Sequence, residues 1–251
     1  GLVEFEGSRE NNILATKAGY VFVDKKAPAD QRYKLLRTQS GDSDTGGLYF
    51  STSPDGIHWT ALPQRVFPFI PDTANQVLYD PRLGKYVAYV RSWAPLRKVA
   101  RTEMDDPLQP WPYQEIAQPS ILWGEGSAPP PSYELPQAIE YDEFDPPGMD
   151  LYTPCVNLYP WAEDVYLAFP SPYYHFPEPP QGKYLNDGLL EVQLAVSRDG
   201  VRFERPDRRH PYISLGVYGG PEGGSLYMCP GLARLGDSLY QYYVAYSHSH
   251  G

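Results

Sequence analysis

Three acidic residues recur at nearly equal spacing along this sequence. Asp72, Asp150 and Glu222 each stand shortly before an apolar run with strand character. Carboxyl groups that converge on one cleft can serve as a general acid, as a base or nucleophile, and as a group that orients a sugar. The chemistry that these three predict is therefore cleavage of a glycosidic bond. The simpler alternative is that each acid caps a turn at the end of a strand.

Aromatic and basic residues accompany the three acids. Aromatic rings stack on the apolar faces of sugars, and Arg or His side chains can hold hydroxyl groups or a carboxylate. An Arg at the end of an inner strand must be paired or functional, which favours Arg91 as a site residue. For the aromatic residues, the alternative is packing between strands. The predicted substrate-binding residues are Arg91, Trp93, Tyr152, His175 and Asn11.

The sequence predicts neither a metal site nor a cofactor. His175, His248 and His250 could ligate a metal, but no acid accompanies them at a fixed spacing. There is no phosphate-binding loop, no dinucleotide-binding fingerprint and no Gly-x-Ser-x-Gly motif. The glycine-rich stretch at 219–224 reads as a loop, because no helix pattern follows it.

A repeated turn motif organises the strands that would position these residues. The stretch LYFSTSPDGIHWT (48–60) reads as a strand, a tight turn and a return, and VQLAVSRDGVRFE (192–204) repeats it. A degenerate third copy lies at VARTEMDDPLQPW (99–111). The acids of the two good copies, Asp55 and Asp199, are expected to fold the turn and to take no part in chemistry.

Composition and the frequent Pro and Gly turns predict an all-β fold. The 251 residues include 28 Pro, 22 Gly and 22 Tyr, which is too much Pro and Gly for a helical protein. Many short strands separated by Pro and Gly turns suggest a sandwich, a barrel or a propeller, and the hairpin-length links between successive strands are those expected of the blades of a single β-propeller domain. Its blades are expected at 1–66, 67–117, 149–207 and 220–251, with a long inter-blade loop at 118–148. The chain opens without Met and stops within a strand pattern, so we expect further sequence on both sides.

Charge and cysteine content narrow the classes of partner. The formal net charge is −10, and no basic stripe is visible, which argues against nucleic-acid binding. No apolar run approaches the length of a membrane span. Cys155 and Cys229 lie outside any C-x-x-C motif, and buried free thiols are favoured over a disulfide between them. The sequence does not determine the oligomeric state or the compartment of the protein. A secreted or periplasmic location is favoured.

The repeated S-x-D-G-x-x-[WF] turns, together with the acids that open the blades, resemble those of the five-bladed β-propeller glycosidases, the fructosidase and arabinosidase superfamily. The phrases YFSTSPDGIHW, DPRLGKYVAYVR and VQLAVSRDGVRF carry this resemblance, which spans roughly the whole chain as a repeat pattern. It implies a five-bladed β-propeller, incomplete within this chain, and a carbohydrate substrate. The family's nucleophile sits on the first blade in a motif such as W-M-N-D-P-N-G. No such motif is present here, so the resemblance assigns no role to an individual acid.

Two classes of function follow from these observations. The first is a glycoside hydrolase that uses Asp72, Asp150 and Glu222, with a phosphorylase as a close variant in which Arg91 and Arg101 bind phosphate. The second is a non-catalytic propeller that binds carbohydrate or protein. A pair of carboxyl groups about 5–10 Å apart across a cleft would favour the first.

Overall fold

The computed structural model of the protein consists of two compact units built almost entirely from β-strands. Unit 1 comprises Gly1–Ala88 and Thr102–Glu134, and unit 2 comprises Tyr89–Arg101 and Leu135–Gly251. The described residues are 1–14, 19–42, 44–72, 74–93, 96–113, 134–177, 187–206 and 209–250. Within these ranges the one complete helical element is a 3₁₀ turn, Ala29–Gln31. The predicted all-β class is thereby confirmed.

Unit 1 opens with a four-stranded antiparallel sheet in which every strand pairs with its neighbour in sequence. Its strands are β1 (Gly19–Val23), β2 (Tyr33–Gln39), β3 (Gly47–Ser53) and β4 (Thr60–Phe67). The inner strand β3 is buried at every position, which fits its near-continuous run of apolar and small residues. Trp111 closes this core, because its ring stacks on Phe67 and its backbone N–H bonds to Val66.

A buried ion pair holds β2 within unit 1. Lys34 Nζ lies 2.7 Å from Asp24 Oδ2, and Tyr86 donates its hydroxyl to the same oxygen at 2.7 Å. The pKa of the Asp24 carboxyl is lowered, because these hydrogen bonds outweigh the burial that would otherwise raise it.

A second four-stranded sheet follows, with its strands again in sequence order. Its strands are β5 (Gln76–Asp80), β6 (Lys85–Trp93), β7 (Arg97–Met104) and β8 (Gln137–Ile139). Strand β8 lies inside the stretch predicted as the 118–148 loop, of which 118–133 falls outside the described residues. Strand β8 is three residues long and pairs antiparallel with β7, with Val99 opposite Ile139 and Ala100 opposite Gln137.

Unit 2 contains the remaining strands in shorter pieces. They are β9 (Asp150–Leu151), β10 (Val156–Leu158), β11 (Tyr166–Ala168), β12 (Pro172–His175), β13 (Gly188–Leu190), β14 (Val192–Gln193), β15 (Ala195–Ser197), β16 (Pro211–Ile213), β17 (Ser225–Met228), β18 (Ala233–Leu235), β19 (Ser238–Tyr240) and β20 (Tyr243–Tyr246). The strands β10, β11 and β15 form a three-stranded antiparallel sheet, while β14–β16 and β18–β19 are two-stranded pairs.

The largest sheet of unit 2 has five strands in the order β20-β17-β13-β12-β9. It combines strands from the segments predicted as separate blades, 149–207 and 220–251, through one parallel pairing of Leu190 with Ser225. Local turn signals could not have revealed this pairing, since it joins distant parts of the chain. An apolar cluster that includes Leu226, Phe169 and Val192 forms part of the core of unit 2.

The two S-x-D-G turns have the same hydrogen bonds. In the first, Ser53 Oγ accepts the N–H of Gly56 at 2.9 Å, and Asp55 Oδ1 accepts the next two N–H groups at 2.8 Å each. In the second, Ser197 and Asp199 make the corresponding bonds at 3.0, 2.8 and 3.2 Å. The structural role predicted for both acids is therefore confirmed.

Cys155 and Cys229 are free thiols, in agreement with the sequence analysis. Burial raises the pKa of the Cys155 thiol to about 12. None of the described helical segments has the length and hydropathy of a membrane span.

Candidate functional site

One face of the five-stranded sheet in unit 2 gathers the residues that could do chemistry. Register partners run across it in a row: Asp150, Tyr173, Leu190, Ser225 and Tyr246. Partners in register project their side chains to the same face of a sheet. This surface is called the Asp150 face below.

Asp150 is fully buried at the start of β9. Its Oδ2 accepts a hydrogen bond from Arg97 Nη1 at 2.8 Å and lies 3.3 Å from His175 Nε2. Its Oδ1 has no hydrogen-bond partner among the residues that the structure describes. The side chain of His175 is 23% exposed and is the solvent-facing partner of this carboxylate.

Three aromatic rings surround the Arg97 guanidinium. Its central carbon lies 4.1 Å from the centroid of the Trp93 ring and 5.4 Å from the centroids of both Tyr152 and Tyr173. Such cation–π contacts fix a guanidinium more firmly than a lone ion pair does, particularly away from water. Arg97 therefore holds Oδ2 of Asp150 in a defined position.

A second guanidinium, that of Arg91, contacts two of the same aromatic rings, Tyr152 and Trp93. Arg91 is buried and donates to the backbone oxygen of Tyr152, and its guanidinium carbon lies 4.3 Å from the centroid of that ring. Trp93 lies 5.9 Å from the same cation. Tyr152 thus contacts both Arg91 and Arg97.

Tyrosine hydroxyls extend the Asp150 face. Burial raises the pKa of the Tyr173 hydroxyl, and the carboxyl groups of Asp187 and Asp150 act in the same direction, while Arg97 opposes them. Burial also raises the pKa of Tyr227 to about 12. Both phenols therefore stay protonated at neutral pH and can donate hydrogen bonds.

A second buried carboxyl group lies at the start of β13. Asp187 Oδ1 accepts the N–H of Gly188 at 2.7 Å, and its Oδ2 accepts the hydroxyl of Ser249 at 3.1 Å. Nearby, the His250 ring lies 5.2 Å from Tyr173, and the His250 N–H bonds to the Gly188 carbonyl. The C-terminal residues thereby fix this end of β13.

Five of the predicted residues lie in this one cluster of unit 2. They are Asp150, Arg91, Trp93, Tyr152 and His175. Glu222, also in unit 2, instead accepts a hydrogen bond from the hydroxyl of Tyr243 and raises the pKa of that phenol.

The other two predicted residues belong to unit 1. Asn11 binds the backbone of its own segment, donating to Val3 and Ser8 at 3.0 Å each. Asp72 stands in a loop before β5 with a positive φ of 82°, a backbone conformation that costs free energy for a residue with a side chain.

Sequence reasoning missed Arg97 and Asp187. Arg97 carries no local signal, because its role depends on a long side chain reaching β9 and three rings. Asp187 did carry one: it precedes the apolar run GLL, as the three predicted acids precede theirs. Across the described ranges, no group of three or more His, Cys, Asp and Glu residues has a metal-binding arrangement.

Comparisons with known proteins bear on the fold. No family model matches the sequence, and a search of curated proteins gave no match. One solved structure is 15% identical to this chain, with a TM-score of 0.52. It comes from work on the GH130 family of mannoside phosphorylases, and that family is said to contain glycoside hydrolases that target β-1,2 mannosidic linkages in Candida mannan. The match covers 91% of this chain and 61% of that one, so the present chain spans about three fifths of its length.

Two Bacteroides structures match with lower scores. An endo-arabinase from Bacteroides thetaiotaomicron is 12% identical over 91% of this chain and 93% of its own, with a TM-score of 0.38. A glycosyl hydrolase from Bacteroides ovatus is 12% identical over 93% and 81%, also at 0.38. The fold comparison therefore depends on the mannoside enzyme, and it confirms the propeller-type all-β class.

Proposed function

We propose that this protein is a glycoside hydrolase acting on an oligo- or polysaccharide, with Asp150 as a reacting carboxyl group. The observation that carries the proposal is the state of Asp150 Oδ1, a buried oxygen without a hydrogen-bond partner among the described residues. Native structures satisfy nearly all buried polar atoms, so an exception calls for a reason. An oxygen reserved for a substrate or a reacting water is such a reason.

The surroundings of Asp150 support this role. Arg97 and His175 contact Oδ2, which leaves Oδ1 as the oxygen available for chemistry. The rings of Tyr152, Tyr173 and Trp93 offer apolar surfaces of the kind on which sugar rings stack. Protonated phenols beside them can donate to sugar hydroxyls.

The finer assignments made from the sequence remain part of this proposal. They are membership of the five-bladed β-propeller glycosidase superfamily, the blade boundaries, a carbohydrate partner, and substrate-binding roles for Arg91, Trp93, Tyr152, His175 and Asn11. Asp72 and Glu222 remain candidate acids. The shared hydrogen bonds of the two S-x-D-G turns and the likeness to the mannoside enzyme support the superfamily assignment.

Phosphorolysis is a second candidate, favoured by the cations near Asp150. Arg91, Arg97 and His175 cluster around one carboxyl group, and guanidinium groups suit the geometry of phosphate oxygens. The name of the matched structure includes mannoside phosphorylases. A phosphorylase would release a sugar 1-phosphate only when inorganic phosphate is present.

Turnover of a defined set of sugars tests the proposal. The panel contains 4-nitrophenyl glycosides, β-1,2-linked mannobiose and arabino-oligosaccharides, each with and without inorganic phosphate. We expect hydrolysis by the wild-type chain and a loss of about 10²–10⁴-fold in kcat for Asp150→Asn. Asp72→Asn and Glu222→Gln are measured alongside, because both remain candidate acids.

The controls separate catalysis from binding. Circular dichroism and the unfolding temperature verify that each variant folds. Sugar binding by calorimetry, without turnover in any condition and unchanged in Asp150→Asn, would overturn the enzyme proposal and support a binding propeller. Turnover that requires phosphate would favour the phosphorylase.

A further inference from the structure

We infer that the Asp150 face continues into a strip of aromatic side chains that binds the sugar rings of an oligosaccharide chain away from the bond to be cleaved. The inference rests on the function proposed above and extends it by naming the substrate class, a chain of several sugar residues. The strip starts beside Asp150 and ends at the edge strand β20. It is called the aromatic strip below, and its rings are His175, Tyr173, Tyr152, Tyr227 and Tyr246.

Strand alternation places all five rings on the Asp150 face. Tyr173 and Tyr246 belong to the row of register partners that defines this face. The other three rings each lie two residues from a member of that row, so their side chains project to the same side. These pairs are His175 with Tyr173, Tyr152 with Asp150 and Tyr227 with Ser225.

Ring contacts join the aromatic strip from one end to the other. The ring centroids of His175 and Tyr173 are 3.9 Å apart, and those of Tyr173 and Tyr152 are 5.7 Å apart. Tyr152 lies 5.9 Å from Tyr227, which lies 6.1 Å from Tyr246. Contacting aromatic rings have centroid separations of about 4.5–7 Å, so the strip is one packed surface.

The aromatic strip becomes more exposed along its length. Tyr173 is fully buried. Tyr152 and Tyr227 are half-buried, and Tyr246 is 44% exposed. Val244, on the same face of β20, is exposed as well. Rings that only fill a core are covered, whereas rings that bind a sugar must offer it part of their surface, so the outer end of the strip suits a ligand.

The aromatic strip is longer than one or two sugar rings. The row from Asp150 to Tyr246 crosses the five strands of the sheet, and neighbouring strands lie about 4.8 Å apart, which gives about 19 Å from end to end. A disaccharide bound at Asp150 would leave Tyr246 uncovered, whereas a longer chain would reach it.

The chemistry of the outer end fits a neutral ligand that carries many hydroxyl groups. Residues 239–251 contain no Lys, Arg, Asp or Glu, so this end offers no side chain for a strongly charged partner. It offers instead phenol rings, a hydroxyl at Ser247 and the imidazole of His248, which lies 5.6 Å from Tyr246. Burial raises the pKa of Tyr227 to about 12, so this phenol stays protonated and can donate to a sugar oxygen.

His250 holds the inner rings of the aromatic strip in place. Its N–H bonds to the carbonyl of Gly188, and its ring lies 4.9 Å from Tyr152, 5.2 Å from Tyr173 and 6.4 Å from Tyr227. A surface that is ordered before the ligand arrives loses less conformational entropy on binding. The strip is therefore preorganised for an extended chain.

Dependence on chain length tests this inference. The probes are arabino-oligosaccharides and β-1,2-linked manno-oligosaccharides of two to six residues. In the wild type, kcat/KM should rise with chain length. For Tyr246→Ala, the ratio of kcat/KM on the hexasaccharide to that on the disaccharide should fall about 2–10-fold, the value of one aromatic contact. A purely structural defect would lower both rates equally and leave the ratio as it is.

Two further variants complete the test. Tyr246→Phe keeps the ring and should retain most of the wild-type ratio. Tyr240→Ala is the matched control, since Tyr240 is 49% exposed but belongs to the β18–β19 pair, a separate sheet of unit 2. It should leave the ratio at the wild-type value. The chain-length profile of the wild type tests the inference even if Tyr246→Ala does not fold.

Calorimetry on the same sugars separates this inference from the glycosidase proposal. It uses Asp150→Asn, and the wild type if no turnover occurs. Turnover and binding that do not improve beyond the disaccharide would overturn the inference while the glycosidase proposal stands. Binding that strengthens with chain length, without turnover, would overturn the glycosidase proposal and keep the strip as a binding surface. A chain that neither binds nor cleaves these sugars would overturn both.

Self-association is the competing use of the aromatic strip. Sedimentation velocity of Tyr246→Ala measures it. A lower sedimentation coefficient than that of the wild type, together with an unchanged kcat/KM ratio, would assign the strip to contacts between copies of this chain and overturn the inference.

Discussion

Among single residues, Arg97 is the side chain on which the geometry of the Asp150 face depends most. It contacts Asp150 Oδ2 and three aromatic rings, and both members of the ion pair are buried. Removing one partner of a buried pair is costlier than removing both, because a charge is left without compensation. The role of Arg97 can therefore be measured separately from catalysis.

The first prediction concerns the stability that this ion pair confers. Arg97→Met should lower the free energy of unfolding by about 3–5 kcal/mol, since it leaves the Asp150 carboxylate buried and unpaired. The double variant Arg97→Met/Asp150→Asn should recover part of that loss. Urea denaturation followed by fluorescence measures both. Equal stability of Arg97→Met and the wild type would contradict this account.

At the scale of strands, close backbone approach at Gly188 lets β13 lie beside β12. A Cβ at this position would lie 2.3 Å from the Tyr174 carbonyl oxygen and 2.7 Å from the Tyr173 ring. Neither distance is tolerable, so any side chain there must displace β12, the strand that carries Tyr173 and His175.

Gly188→Ala should therefore lower the unfolding temperature and reduce turnover together. Gly216→Ala is the matched control, because the nearest atom to its new Cβ would be Glu222 Cβ at an ordinary 3.5 Å. Differential scanning calorimetry and kcat measure the two effects. Full activity and stability in Gly188→Ala would show that the two strands tolerate separation.

A second strand-scale prediction concerns acid stability. The lowered pKa of Asp24 means that its bonds to Lys34 and Tyr86 stabilise the fold above the ordinary Asp pKa of about 3.9, and this contribution is lost as pH falls below that value. Asp24→Asn should be less stable than the wild type at pH 7, with a smaller difference at pH 3. Denaturant midpoints across that range test this, and a constant difference would contradict it.

Features set by residues close in sequence could be predicted from the sequence, whereas contacts between distant residues could not. The S-x-D-G turns were predictable, because the bonds of Asp55 lie within its own turn, including those to the N–H groups two and three residues ahead. Asp150, Trp93 and His175 were predicted from residue type and position, and the structure brings them into one cluster. Arg97 and the Leu190–Ser225 pairing were not, since both depend on contacts between residues far apart in the chain.

For the molecule as a whole, the exposed apolar residues near the C-terminal strands are the feature that most favours association with other chains. Strand β20 lies at the edge of its sheet, and the flanking Tyr242 is 69% exposed and Leu235 71% exposed. Edge strands with exposed apolar side chains favour association with other chains. The sequence pI of about 4.9 places the weakest charge repulsion in mildly acidic solution.

We therefore expect concentration-dependent association that is strongest near pH 5 and weaker at pH 8. Tyr242→Lys should reduce it, because the added charge opposes strand pairing. Phe144→Lys, at an exposed apolar residue outside this region, is the control. Sedimentation velocity measures the effect. Equal sedimentation of wild type and Tyr242→Lys at every pH would exclude this edge as the cause.

The strand order of the two units also implies an order of events when the chain folds. In the sheet β1–β4 each strand pairs with its sequence neighbour, so only short loops must close. The five-stranded sheet joins Asp150 to Tyr246 across nearly a hundred residues, and contacts of that separation form slowly. A refolding chain should thus regain hydrogen-exchange protection in β1–β4 before it regains protection in the five-stranded sheet that carries Asp150.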